Sequence, residues 1–275
     1  TAQLEISWPR AIDEDSLDDS LIYEINYSTT TEFADSGWYR PYFDNFSDKK
    51  FVSPGDNLLI GVKTKDDFGN YSIATTTWSW PDADWKIVQD KYNQWSQNFG
   101  TKPESCFSCP ISASVQRIST EDEFEFDVVT MRLRQEIVSD VADLRLRVFH
   151  NDNFPDFDDE LGKAVIKDVI RLDGNSDITF VFNEPISLSA GEDYWLVLDV
   201  EKYSDSRGFY RNAWRNAINT GEDLYPNGEA GWGTSGTCND YCSLHVPYPN
   251  ETADWYFKIG LEKGSESEEE PELEE

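Results

Sequence analysis

Short runs in which every second residue is apolar, punctuated by Gly, Pro, Asn and Asp, cover most of this chain, and such alternation predicts β-strands. In the first 81 residues the runs fall near 4–8, 21–29, 37–43, 49–53, 57–65 and 72–80, and none reads as a long amphipathic helix. Tyr23, Ile25 and Tyr27 share one face of the second run, as do Leu58, Ile60 and Val62 in the fifth. Pro54-Gly55 sets a turn before that fifth run, and Asp67-Phe68-Gly69-Asn70 reverses the chain after it. Pro81 with Asp82-Ala83-Asp84 closes the series. From Trp85 to Pro110 the pattern is less regular, and residues 85–97 fit either a short helix or another strand. A second series follows near 112–119, 124–135, 143–149, 163–171, 177–182, 193–200, 207–214 and 254–262. Its inward positions include Phe124, Phe126 and Val128, then Met131 and Leu133, and in the next run Leu144, Leu146 and Val148.

The first series resembles the fibronectin type III module over residues 1–81. Trp8 ends a strand, Tyr23 and Tyr27 stand four apart in the next, and Ser53-Pro54-Gly55 turns into an alternating strand closed by a Gly69 hairpin. By that resemblance the run ending at Trp8 is the second strand of the module, so the first is cut away or supplied by sequence upstream. The family usually carries Tyr where Leu58 stands, which implies one hydrogen bond fewer at the turn. The second series, over residues 82–263, suits a two-sheet jelly roll. It resembles the choice-of-anchor modules of bacterial surface proteins in Val128-Val129-Thr-Met-Arg-Leu-Arg, in a Pro-containing loop at 151–162 and in Asp254-Trp255-Tyr256-Phe257-Lys258-Ile259. The most specific match is Leu188-Ser-Ala-Gly191-Glu-Asp-Tyr194-Trp-Leu196. The expected fold is all-β, two tandem β-sandwiches, fibronectin-III-like and then jelly-roll-like, with an acidic disordered linker or tail over 264–275.

Charge narrows the function. The net charge is −31 over 275 residues. Such a field repels nucleic acid and anionic membranes and disfavours self-association, so no nucleic-acid partner and a monomer are expected. Seven glutamates lie in the last twelve residues, and removing them from the net −31 leaves −24, so the acidity belongs to the modules. With 38% apolar and 14% aromatic residues the chain has the means to build real cores, and no run approaches the roughly 18 apolar residues of a membrane-spanning helix.

Three groups of residues carry candidate chemistry. Cys106 with Cys109 and Cys238 with Cys242 form two close pairs, whose spacing fits two local disulfides, a four-thiolate zinc site or free thiols. The loop holding Asp152, Asn153, Asp156, Asp158, Asp159 and Glu160 places hard oxygen ligands close together, as calcium requires, although it lacks the mid-loop Gly of an EF-hand. The cluster Asp13-Glu14-Asp15 with Asp18-Asp19 is a weaker calcium candidate resting on charge alone. Tyr210, Arg211, Trp214, Arg215, Tyr225 and Trp232 combine aromatic faces with hydrogen-bonding groups, a mixture suited to a sugar ring. Gly231-Trp-Gly233-Thr-Ser-Gly236 matches the dinucleotide glycine pattern by letter but neither follows a strand nor opens a helix. His150 and His245 sit in no nucleophile or metal pattern, and no catalytic constellation stands out.

The sequence therefore predicts a non-catalytic, extracellular or cell-surface binding or adhesion module, with glycan as the expected ligand class and neighbouring domains of a longer chain as partners. The alternatives are a stalk or surface-array segment stiffened by calcium and an accessory region of a secreted hydrolase.

Overall fold

The computed structural model describes residues 3–12, 21–41, 46–95, 111–137, 142–150, 160–169, 175–203, 213–220, 228–235, 243–245 and 253–263. These residues are all-β: strands joined by turns, with one 3-10 turn at Asp35–Gly37 and no α-helix among them. They fall into two compact units, Gln3–Asp82 and Ala83–Lys263. No helix among the described residues is long and apolar enough to cross a membrane.

The first unit has strands β1 (Gln3–Ser7), β2 (Ile22–Ser28), β3 (Ser47–Phe51), β4 (Asn57–Lys65) and β5 (Tyr71–Ser79). β1 pairs with β3, and β2, β4 and β5 form a three-stranded sheet in that order, all antiparallel. Alternation puts Tyr23 and Ile25 of β2 and Leu58 and Ile60 of β4 into a core shared with Leu21, Val52 and Trp80. A polar clasp ties the two sheets. The Tyr27 and Tyr39 hydroxyls both donate to one oxygen of buried Asp48, at 2.9 and 2.8 Å. Burial, with the Asp48 charge behind it, holds the Tyr27 phenol well above its ordinary pKa.

The turn before β4 is built as a type II turn. Gly55 has φ +92°, Asp56 N–H donates to the Ser53 carbonyl at 3.0 Å, and the Asp56 carboxylate accepts from Ser53 N–H at 2.8 Å. Asp56 thus supplies a bond at the turn where Leu58, buried in the core, has no hydroxyl to offer. The run at 37–43 is not a strand over its described part: it forms the end of the 3-10 turn and a single bridge between Tyr39 and Ile25. Buried Asn26 explains this locally, because its Nδ2 donates to the Ala34 carbonyl and holds the loop as a loop.

The second unit contains β6 (Asp84–Gln89), β7 (Gln94–Trp95), β8 (Ile111–Ser119), β9 (Phe124–Ile137), β10 (Ala142–His150), β11 (Glu160–Val169), β12 (Asn175–Leu188), β13 (Asp193–Tyr203), β14 (Ala213–Thr220), β15 (Gly228–Ser235), β16 (Ser243–His245), β17 (Ala253–Trp255) and β18 (Phe257–Leu261). One sheet runs β11-β10-β13-β8-β15-β16, and the other runs β17-β14-β9-β18-β6, with β12 on the far edge of β9 and β7 against β14. The undecided stretch 85–97 is therefore strand, since β6 pairs with β18 and β7 with β14. The sheets are linked where Trp255 N–H of β17 donates to the buried Gln116 side chain of β8 at 2.8 Å.

Both faces of the central strands are buried. Val128 and Val129 are adjacent in β9 and both inaccessible, as are Leu146, Arg147, Val148 and Phe149 in β10. An arginine enters such a position only with a partner. Asp199 of β13 supplies it, accepting two bonds from Arg145 at 2.8 Å each and one from Arg147 at 2.7 Å.

Candidate functional site

An open groove of about 610 Å³ lies at one end of the three-stranded sheet in the first unit. Antiparallel pairing builds it by setting the end of β2, the start of β4 and the end of β5 side by side, with Ser28 opposite Leu59, Leu59 opposite Thr77 and Leu58 opposite Trp78. Its walls are Thr29–Thr31, Asn57–Leu59 and Thr77–Ser79. No lining residue is charged, although 28% of the chain is.

The apolar part of the lining is Leu58, Leu59 and half-buried Trp78. The buried ring of Trp80 stands edge-on to Trp78, centroids 6.3 Å apart at 72°. The polar part is hydroxyl and amide. Thr30 is spent on a local turn, bonded to Ser28 and the Glu32 carbonyl. Asn57, also in the lining, donates its amide N–H to the Gly55 carbonyl. Thr29, Thr31, Thr77 and Ser79 add four more hydroxyl-bearing residues to the lining.

One groove wall is pinned by a glycine. Phe33 and Trp38, rings 5.1 Å apart, pack over Gly61 of β4, where a Cβ would come within 2.6 Å of Phe33 and 2.9 Å of Trp38. That packing anchors the chain immediately after Thr29–Thr31. Charges on the same sheet face pair nearby. Lys63 lies 4.1 Å over the Trp38 ring and pairs with Glu24, which Lys65 also holds at 2.9 Å. Burial alone would raise the Glu24 carboxyl, but the bonds and charges of Lys65 and Lys63 outweigh it and hold the group below its ordinary value. The groove lining is thus neutral beside a patch of two lysines and one carboxylate.

The residues singled out from the sequence lie elsewhere. Tyr210, Arg211 and Tyr225 fall outside the described residues, as do Asp152, Asn153, Asp156, Asp158, Asp159 and all four cysteines, Cys106, Cys109, Cys238 and Cys242. The acidic residues between 13 and 19 fall outside them too. Trp214 and Arg215 are on β14 of one sheet and Trp232 is on β15 of the other. Glu160 opens β11, where its carboxylate lies 3.9 Å from Arg147. Among the described residues no three His, Cys, Asp or Glu side chains cluster as a metal site. The groove carried a sequence signal that the aromatic count did not weigh. Ser28-Thr29-Thr30-Thr31 and Thr75-Thr76-Thr77-Trp78-Ser79 are two uncharged hydroxyl runs in a strongly acidic chain.

No protein-family model matches this chain, and no curated protein matches it significantly. Among solved structures it is similar to one described as carbohydrate-binding modules of the β-sandwich superfamily, at 12% identity and TM-score 0.25, over 79% of this chain and 90% of that one. A second is a Clostridium perfringens ZmpB structure comprising a CBM51-2 module with GlcNAc and INT domains, at 10% identity and TM-score 0.16, over 61% of this chain and 39% of that one. A third is an α-L-rhamnosidase from Dictyoglumus thermophilum, at 10% identity and TM-score 0.20, over 94% of this chain and 28% of that one. At these scores the likenesses carry no functional argument.

Proposed function

We propose that this chain is a non-catalytic binding module for neutral glycans, and that the groove walled by Thr29–Thr31, Asn57–Leu59 and Thr77–Ser79 is its site. The observation that supports this reading most is the composition of the groove: an indole, two leucines, hydroxyls and an amide, without charge. A sugar ring offers an apolar face and a rim of hydroxyls, which is the complement of that lining. Binding rather than turnover follows from the same composition, because the lining has no carboxyl, imidazole, thiol or amine to move a proton near neutral pH. An extracellular or cell-surface setting is part of the proposal, and the two closely spaced cysteine pairs fit an oxidising compartment.

The test is a panel of immobilised neutral and acidic oligosaccharides probed with the whole chain. Neutral members should bind and uronates should not, since the net charge of −31 opposes them. Trp78→Ala should weaken the captured interaction at least about tenfold. Capture that is indifferent to Trp78→Ala, or no capture of any neutral glycan, would overturn the assignment.

A further inference from the structure

β5 ends its sheet, and no other strand among the described residues pairs with its outer edge. Hydrogen-bond parity fixes what that edge displays. Asp66 N–H donates to the Asn70 carbonyl at one end of the β4–β5 hairpin, and Trp80 N–H donates to the Asp56 carbonyl at the other. Between them the register runs from Lys65–Tyr71 to Asn57–Ser79 without a shift. Even-numbered residues of β5 therefore bond inward to β4, while Tyr71, Ile73, Thr75, Thr77 and Ser79 turn N–H and C=O outward.

This edge has none of the features that ordinarily keep edges from pairing. It is nine residues long, and its sequence YSIATTTWS holds no Pro, no Lys and no charge of either sign. No bulge interrupts it. Residues 71–77 are all exposed, including Tyr71 at 64% and Ile73 at 43%. A long, regular, uncharged edge is a template for another strand.

We propose that β5 is an association edge that pairs antiparallel with β5 of a second copy, about a two-fold axis at Thr75. In that register Tyr71 faces Ser79, Ile73 faces Thr77 and Thr75 faces its own copy on one side of the joined sheet, while Ser72 faces Trp78 and Ala74 faces Thr76 on the other. Every outward donor meets an acceptor by symmetry, and no two charges of like sign are opposed. Pairing with β1 or β11 lacks this neutrality: β1 carries Glu5, and β11 carries Glu160, Lys163, Lys167 and Asp168. The net charge of −31 keeps two copies apart in dilute salt, so the seam closes once ions screen that repulsion. The inference is argued from the backbone edge alone, and that edge shares Thr77, Trp78 and Ser79 with the groove wall.

Sedimentation of the whole chain across protein concentration tests it, in ~0.01 M sodium chloride, where the screening length is about 30 Å, and in ~1 M, where it is about 3 Å. Two variants accompany the wild type. Thr75→Pro removes an outward N–H and leaves every bond to β4 in place, and Thr75→Lys sets two ammonium groups together at the axis. The expected result is a monomer in dilute salt and a reversible dimer in concentrated salt, with the dimer at least about tenfold weaker in each variant. A wild type that stays monomeric in concentrated salt, or a dimer of unchanged affinity in both variants, would overturn the proposal.

Discussion

Asp199 and Asp177 each accept a two-pronged bond from an arginine, and burial decides what each bond is worth. Asp199 is fully buried and also holds Arg147, itself 1% exposed. Its removal takes the nearest carboxylate from the buried Arg147 guanidinium, so Asp199→Ala should cost roughly 3–5 kcal/mol in urea denaturation. Arg132 meets Asp177 with the same geometry, at 2.7 and 2.8 Å, but at a side chain 35% exposed, and Asp177→Ala should cost about 1 kcal/mol or less. The Tyr27 hydroxyl gives a pH signature. Its pKa is raised in the folded state, so the folded chain keeps a proton that the unfolded chain releases above about pH 10. That contribution is intact below pH ~10 and lost as pH rises further, at up to about 1.4 kcal/mol per pH unit. In alkaline urea titrations the stability gap between wild type and Tyr27→Phe should be constant below that pH and narrow only above it. None of these partnerships was legible in the sequence, because Asp48, Asp177 and Asp199 are three of 54 acidic residues until pairing across strands selects them.

Strands were easier to read than partners. The run at 57–65 coincides with β4, and Leu58 and Ile60 are buried as alternation requires. β15 escaped notice because Gly228-Glu-Ala-Gly-Trp-Gly-Thr-Ser235 has three glycines and no alternation; pairing along its whole length with β8 makes it a strand. The groove escaped notice for a related reason, since its three walls are adjacent only through the order β2-β4-β5. Proline scanning of β5 tests the parity argument directly. Ala74 bonds inward opposite Val62, so Ala74→Pro should cost roughly 3 kcal/mol or more, whereas Thr75→Pro should lower the melting temperature only slightly. Gly61→Ala is the matching test for the groove wall. The added methyl meets Phe33 and Trp38, so the variant should lose both stability, by roughly 1–3 kcal/mol, and glycan affinity, read by calorimetry.

For the whole molecule, charge sets the conditions under which everything else operates. A net −31 repels itself within the folded state, so the melting temperature should rise as sodium chloride increases from ~0.01 M to ~0.1 M and the screening length falls from about 30 to about 10 Å. A flat response would mean that local pairs such as Lys63 and Lys65 with Glu24 already absorb the field. The acidity and the all-β character were both plain in the sequence, and glycan was its expected ligand class. They did not locate its site. The most direct test is a nitrogen-15 spectrum of the whole chain titrated with a neutral oligosaccharide selected from the panel. The groove assignment predicts that the Trp78 indole signal and the amides of Thr29–Thr31, Asn57 and Thr77 move together and saturate together. Shifts confined instead to residues 209–232, with Trp78 unmoved, would contradict it.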